Sequence, residues 1–260
     1  MTGTRVHPAV EAEEARADRT PSQTVRAQIE LRKLVLSGEL ASGDRVPELP
    51  MVERLGVSRT PLRMALVRLE EEGLLEAIPS GGFAVKAFSE REVFEAIEIR
   101  GTLEGLAARL AAERGAERAG LERAARCLEA LDDVVRPQDA AVDLSRYVEL
   151  NAVFHDILLD LAGSEALARQ IQRACALPFA SPSALVSVQS APGGDRSLLA
   201  VAQDQHRCVL SAIERREGAR AEAIMREHAR IAHRNLERAL ANQEMHLVPG
   251  SALIRRRFGT

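Results

Sequence analysis

The tripeptide Gly56-Val57-Ser58 divides two short amphipathic stretches, and no other feature restricts the fold of this chain as much. Glycine closes a helix at positive φ, valine plugs a core, and serine is a favoured N-cap whose hydroxyl accepts from the free amides of the next turn. Before the tripeptide, 47–55 (PELPMVERL) puts Leu49, Val52 and Leu55 on one side and predicts a short helix. After it, a second helix starts at Ser58, with Leu62, Ala65, Leu66 and Leu69 at three- and four-residue spacing as its apolar face. Pro61 falls in the first turn, where its missing N–H has no intrahelical partner to lose. Two short helices around a tight turn form a helix-turn-helix.

The flanks extend the unit. Residues 22–37 form an upstream amphipathic helix with Val25, Ile29, Leu31, Leu34, Val35 and Leu36 as its apolar set. Gly73 stops the second helix, and 74–78 and 83–88 are short strand candidates around Pro79-Ser80-Gly81-Gly82, a hairpin that forms a wing. Residues 1–20 read as a mixed-charge arm, 21–88 as the winged domain, 89–243 as an all-α domain and 244–260 as a tail. Helical spacing covers 89–114, 115–135, 140–162, 164–176, 198–216 and 219–241, with a loop or broken helix at 178–196. In the first of these, Val93, Phe94, Ile97, Leu103, Leu106 and Leu110 are expected inside. The fold class is mainly α: a winged helix-turn-helix followed by a helical bundle.

Composition excludes other classes. With 46% hydrophobic and 28% charged residues and no apolar run long enough for a bilayer, the chain reads as cytoplasmic, without a membrane partner. Cys127, Cys175 and Cys208 are widely spaced and odd in number, which fits reduced thiols. Net charge is −3, and 20–88 holds as many basic as acidic residues, so any nucleic-acid face depends on arrangement. The arrangement is favourable. Ser58, Arg59, Thr60 and Arg63 crowd the N-terminal end of the second helix, where arginine pairs with guanine, hydroxyls bind phosphate and the helix terminus attracts anions.

The run SGELASGDRVPELPMVERLGVSRTPLRMALVRLEEEGLLEAIPSGGFAV resembles the winged helix-turn-helix of GntR-type bacterial transcription regulators. That resemblance implies DNA contacts from Arg45, Ser58, Arg59, Thr60, Pro61 and Arg63, and from Gly81 or Gly82 at a wing tip entering the minor groove. One departure is Leu49, where some members carry an arginine.

In the helical region, Asn151 and His155 are four apart on one face, and His155 shares that face with Leu158 and Leu159. His206 sits beside Val209, Leu210 and Ile213, and His228 lies between Ile224 and Ile231. Three inward histidines on three helices are costly without partners. Each alone reads as a hydrogen-bonded core histidine; a shared divalent metal, zinc or nickel, satisfies all three.

EIRGTLEGLAARLAAER, NAVFHDIL, QHRCVLSAI and AIMREHARIAHRN are similar, in that order, to the FCD effector-binding domain found behind many GntR-type DNA-binding domains. In its metal-binding branch an Asp or Asn four residues before a His, and two later histidines, ligate the ion. These fall on Asn151, His155, His206 and His228, with Asn151 offering a neutral carbonyl. An open metal position suits a small carboxylate, with Arg100 either a second anchor or a structural salt-bridge partner. RGTLEG, FHD, PFA and the IMREHA region resemble regulators of vanillate catabolism, which implies an aromatic acid, with Tyr147, Phe154 and Phe179 as neighbouring rings. The sequence is thus expected to encode a homodimeric, ligand-responsive repressor that binds a near-palindromic operator. The rival is a metal-dependent hydrolase, since a three-histidine site also activates water.

Overall fold

The computed structural model describes residues 22–135, 142–190 and 197–255, so the arm at 1–20 lies outside it. The chain divides into two compact units, Met1–Lys86 and Ala87–Thr260.

In the first unit, α1 (Gln23–Leu36) starts at Ser22, whose hydroxyl accepts from the Val25 amide at 3.3 Å. It buries Ala27, Leu31, Leu34 and Val35, while Ile29 faces outward. Helix α2 (Glu48–Leu55) ends at Gly56 with φ +61°, as the turn requires. Helix α3 (Arg59–Glu71) buries Leu62, Ala65, Leu66 and Leu69 against α1 and α2. Strand β1 (Leu75–Ala77) pairs antiparallel with β2 (Phe83–Val85), Glu76 opposite Ala84. Arg45 makes an isolated antiparallel bridge to Ala84 beside this two-stranded wing, in which Gly81 and Gly82 hold φ of +85° and +88°. Two expectations change here. Leu49 is 58% exposed, because the short α2 buries only Met51 fully. Ser58 occupies the N-cap position in extended backbone, but its side chain makes no capping hydrogen bond.

In the second unit, a capping box starts α4 (Glu90–Arg114): the Ser89 hydroxyl accepts from the Glu92 amide, and the Glu92 carboxylate accepts from Ser89 N–H. Helices α5 (Arg118–Val135), α6 (Leu144–Ala162), α7 (Glu165–Ala174), α8 (Ser197–Glu214) and α9 (Gly218–Ala241) follow. Helix α4 is central, packed against α6, α7, α8 and α9. Of the residues expected inside, Val93 and Ile97 are fully buried, but the leucines do not form the buried face. Leu106 is 38% exposed, Phe94, Leu103 and Leu110 are partly buried, and Ala107, Ala108, Ala111 and Ala112 are inside with Gly101 and Gly105. Small residues let the helix axes approach closely.

That approach makes Gly101 critical. A Cβ there would lie 2.3 Å from the Ala229 Cβ on α9. Gly101→Ala is expected to lower stability by about 1–3 kcal/mol through overpacking, although alanine is the better helix former. Urea midpoints of Gly101→Ala, with and without Ala229→Gly, check this; a neutral Gly101→Ala would remove the close packing.

The stretch expected as a tail from 244 is built into the unit as far as Arg255. Met245, Val248, Leu253 and Ile254 are buried, and β4 (Ile254–Arg255) pairs parallel with β3 (Phe88–Ser89). Apolar residues spaced through two 3-10 turns, Met245–Leu247 and Ser251–Leu253, explain why. The region 178–190 is compact too, with a 3-10 segment, Val186–Ser190, packed on α9 and α6. The three cysteines are unbridged.

Candidate functional site

The first unit gathers the expected DNA-contacting residues into two groups. Ser58, Arg59, Thr60 and Arg63 are exposed on the opening turns of α3, around Pro61. Arg45 lies at the wing, its guanidinium donating to the Gly81 carbonyl at 2.8 Å, with Gly82 beside it. Glu48, which sequence reasoning passed over, touches both groups: it pairs with Arg63 at 3.3 Å and its carboxylate approaches Gly82. Its position as the first residue of α2, facing an arginine-rich helix start, was the available signal.

The second unit brings His155 (α6), His206 (α8) and His228 (α9) together, all buried, with ligand atoms within 4.8 Å of one another. What lies behind each ring decides the tautomers. His155 Nδ1 sits 2.7 Å from the Glu104 carboxylate, an obligate acceptor, so Nδ1 donates and Nε2 carries the lone pair. Gln203 Nε2 donates to the Leu128 carbonyl at 2.8 Å and to Asp132 at 2.9 Å, which turns its Oε1 toward His206 Nδ1 at 3.3 Å. Gln205 Oε1 stands 3.3 Å from His228 Nδ1. The His206 and His228 Nε2 atoms stand 3.2 Å apart, and His155 Nε2 has no partner among the described residues. Two ligand nitrogens on one ion with bonds of about 2.1 Å stand about 3.0–3.4 Å apart, so the residues present fit a divalent metal.

Asn151 is equally buried. Its Nδ2 donates to Ser183 Oγ at 2.9 Å, and its Oδ1 has no partner among the described residues. Glu104, Gln203, Gln205 and Ser183 were not foreseen. The signal was a polar residue on an otherwise apolar helical face, most clearly Glu104 four residues after Arg100 and Gln203 three before His206.

Electrostatics keep His206 and His228 neutral. Burial, then the neighbouring His155, push His206 well below its ordinary value; burial, then His206 and His155, do the same for His228. Burial pushes the Glu104 carboxyl up, but Arg100 and then His155 overrule it and hold it at about 2. The signs follow. For both histidines the unfolded chain takes up protons near pH 6.5 that the fold refuses, so stability is full above 6.5 and is lost as pH falls below it. Metal-free protein is therefore expected to show a Tm that drops between pH 7.5 and 5.5, by scanning calorimetry, and a flatter profile in a His206→Gln, His228→Gln double variant. A flat wild-type profile would contradict neutral buried rings.

Arg100 is a structural salt-bridge partner, one of the two readings weighed for it. Its Nη1 bonds Glu104 Oε2 at 2.6 Å with both side chains 1% exposed, while its Nε has no partner among the described residues. It also lines a cavity of about 30 Å³ with Tyr147, Asn151 and His228. Phe154 and Phe179 do not line it: Phe154 packs on His206 at 4.5 Å between ring centroids, and Phe179 on Phe88 at 5.1 Å.

Comparison with known proteins agrees with both halves. Residues 23–85 match the model of bacterial regulatory proteins of the gntR family, and 95–231 match the FCD domain. The chain is 31% identical over 158 residues to a probable D-xylose utilization operon transcriptional repressor of Paenarthrobacter nicotinovorans, covering 60% of this chain and 67% of the relative. It is 30% identical over 141 residues to the Nta operon transcriptional regulator of Aminobacter aminovorans, covering 54% of this chain. The matched stretch there spans 63% of the relative, less than two thirds of its length. McbR/YncC of E. coli shares the fold, with a TM-score of 0.56 at 22% identity over 86% of this chain and 99% of that one. Among the described residues no helix is long and apolar enough to cross a membrane. The hydrolase reading lapses, because the matched family is one of regulators: this chain belongs to the gntR family of bacterial regulatory proteins, with an FCD domain behind its helix-turn-helix.

Proposed function

We propose that the protein is a homodimeric repressor whose operator affinity is set by a small carboxylic acid bound beside a divalent metal in the helical unit. His155, His206 and His228 would hold the ion through Nε2, and Asn151 through its carbonyl. Bound there, the metal supplies a Lewis-acidic position for a carboxylate oxygen. The observation that carries the reading is the convergence of three buried imidazoles, with His206 and His228 Nε2 3.2 Å apart, an arrangement that a shared cation makes favourable. Arg100 Nε, buried on the same cavity with no partner among the described residues, is available to a carboxylate.

The α3 surface supports operator binding. Each protomer of a symmetric dimer lays one such helix into a major groove, so the operator has two related half-sites. The acid changes DNA affinity only insofar as it binds one arrangement of the dimer better than the other.

The test begins with operator sequences selected from a random duplex pool by the zinc-loaded protein. Adding a panel of aliphatic and aromatic carboxylic acids is expected to lower operator affinity by about 5–150-fold for the matching class, measured by fluorescence anisotropy. Salt is expected to weaken binding steeply. Operator affinity unmoved by every acid would end the carboxylate reading; stoichiometric zinc would still support the metal site.

A further inference from the structure

The first turn of α2 and the opening turns of α3 line a recess of about 500 Å³ whose walls are mixed in character. Arg59, Thr60 and Arg63 supply charge and hydroxyl, and Glu48 pairs with Arg63 at 3.3 Å. The same lining includes Leu49 and Met64, 58% and 48% exposed. One exposed leucine is ordinary on a protein surface. A leucine and a methionine in one concave, cation-lined recess form an apolar wall that gains burial only when a partner covers it.

The surroundings name the partner. Arg59 and Arg63 stand at the positive end of a 13-residue helix and select a polyanion, and the unit is the helix-turn-helix of a DNA-binding family. The Glu48 carboxylate in the lining repels phosphate, so base edges rather than the backbone suit the recess. The apolar group that a base edge presents in the major groove is the 5-methyl of thymine.

We propose that Leu49 reads a thymine methyl in each operator half-site, with Met64 completing the apolar wall. The proposal rests on the α3 surface being the DNA face and names the base that its apolar part selects. An arginine at position 49 would take guanine through two hydrogen bonds. Leucine has neither donor nor acceptor on its side chain, so what it distinguishes is the presence or absence of the methyl group.

The test uses full-length protein and an operator selected from a random duplex pool. Each thymine is replaced in turn by uracil, in both half-sites together, which removes the methyl and keeps every hydrogen-bonding group of the base. At one position this is expected to weaken binding by about fifteenfold, about fourfold for each buried methyl lost, and at the others by less than about twofold. Leu49→Ala is expected to reduce the uracil effect at that position to within about threefold, and Leu49→Met, which keeps a long apolar side chain, to retain most of it. Uracil also alters duplex flexibility, but that effect is common to wild type and variant and cancels in the comparison. Met51 is the residue that α2 buries fully, so neither substitution removes core.

A selected operator with no thymine at a fixed position, no thymine that responds to uracil, or a response as large in Leu49→Ala as in wild type would overturn the proposal. Arg63→Ala on the same operator separates the two readings. If it binds weakly while no thymine responds, the α3 surface remains the DNA face and this proposal falls. If it binds like the wild type, both fall.

Discussion

Arg63→Ala is expected to lower operator affinity by about 5–150-fold, the equivalent of about 1–3 kcal/mol for a lost bidentate contact to a guanine edge. Arg63 lies on the second turn of α3, and its side chain is 67% exposed. Its one ion-pair partner among the described residues is Glu48 at 3.3 Å, and an exposed pair of this kind is worth little, so DNA takes the guanidinium at small cost. Leu62 and Leu66 beside it are fully buried, so the helix is held from its other face and the variant is expected to fold normally. The salt dependence separates two roles. A base contact leaves the slope of log affinity against log salt unchanged and relaxes specificity at one position; a phosphate contact reduces the slope by about one. Anisotropy titrations at several salt concentrations, on the selected operator and on single-base variants, make the distinction. Wild-type affinity in this variant would remove α3 from the DNA interface.

The helix-turn-helix was legible because each boundary has a local cause: Gly56 in left-handed backbone, Pro61 in the first turn, Gly73 after the second helix. Local chemistry of that kind survives whatever packs around it. The face of α4 was not legible for the opposite reason. A helix surrounded by others needs small residues where the axes approach, so Gly101, Gly105 and four alanines went inside while Leu106 stayed out. Amphipathic spacing assumes that large apolar side chains fill the buried face, whereas a close helix crossing takes small ones.

The candidate site divides in the same way. His155, His206 and His228 stood out as polar residues among leucines and isoleucines, and they do converge. The groups that orient them were weaker signals: Gln203 and Gln205 lie in a polar run from Gln203 to Arg207, and Glu104 follows Arg100 by one turn, as in an ordinary surface ion pair. Only the fold shows that Gln203 is pinned from behind by Leu128 and Asp132 and so presents its oxygen to His206. The C-terminal segment was missed because its buried residues occupy 3-10 turns and a two-residue strand, which carry no periodic pattern.

His206→Ala is expected to reduce bound metal from about one ion per chain to background, with the apparent zinc affinity falling by more than the 10–100-fold typical of losing a group behind a ligand. The reasoning starts from burial. His206 is fully buried, its Nε2 lies 3.2 Å from His228 Nε2, and its other nitrogen is held by Gln203. No water reaches the position to replace the imidazole while the ring is there, and alanine leaves a void in its place, so some stability is lost as well. Gln203→Ala is the graded companion: the ring remains, its tautomer is no longer fixed, and zinc affinity is expected to fall by about 10–100-fold. Competition with a chelating dye measures both. The DNA face belongs to the other compact unit, so the metal-free variant is expected to bind operator like metal-free wild type while losing its response to acids. Full zinc occupancy in His206→Ala would mean that the histidine triad is a packed core element, and the acid-responsive site would have to be sought elsewhere in the helical unit.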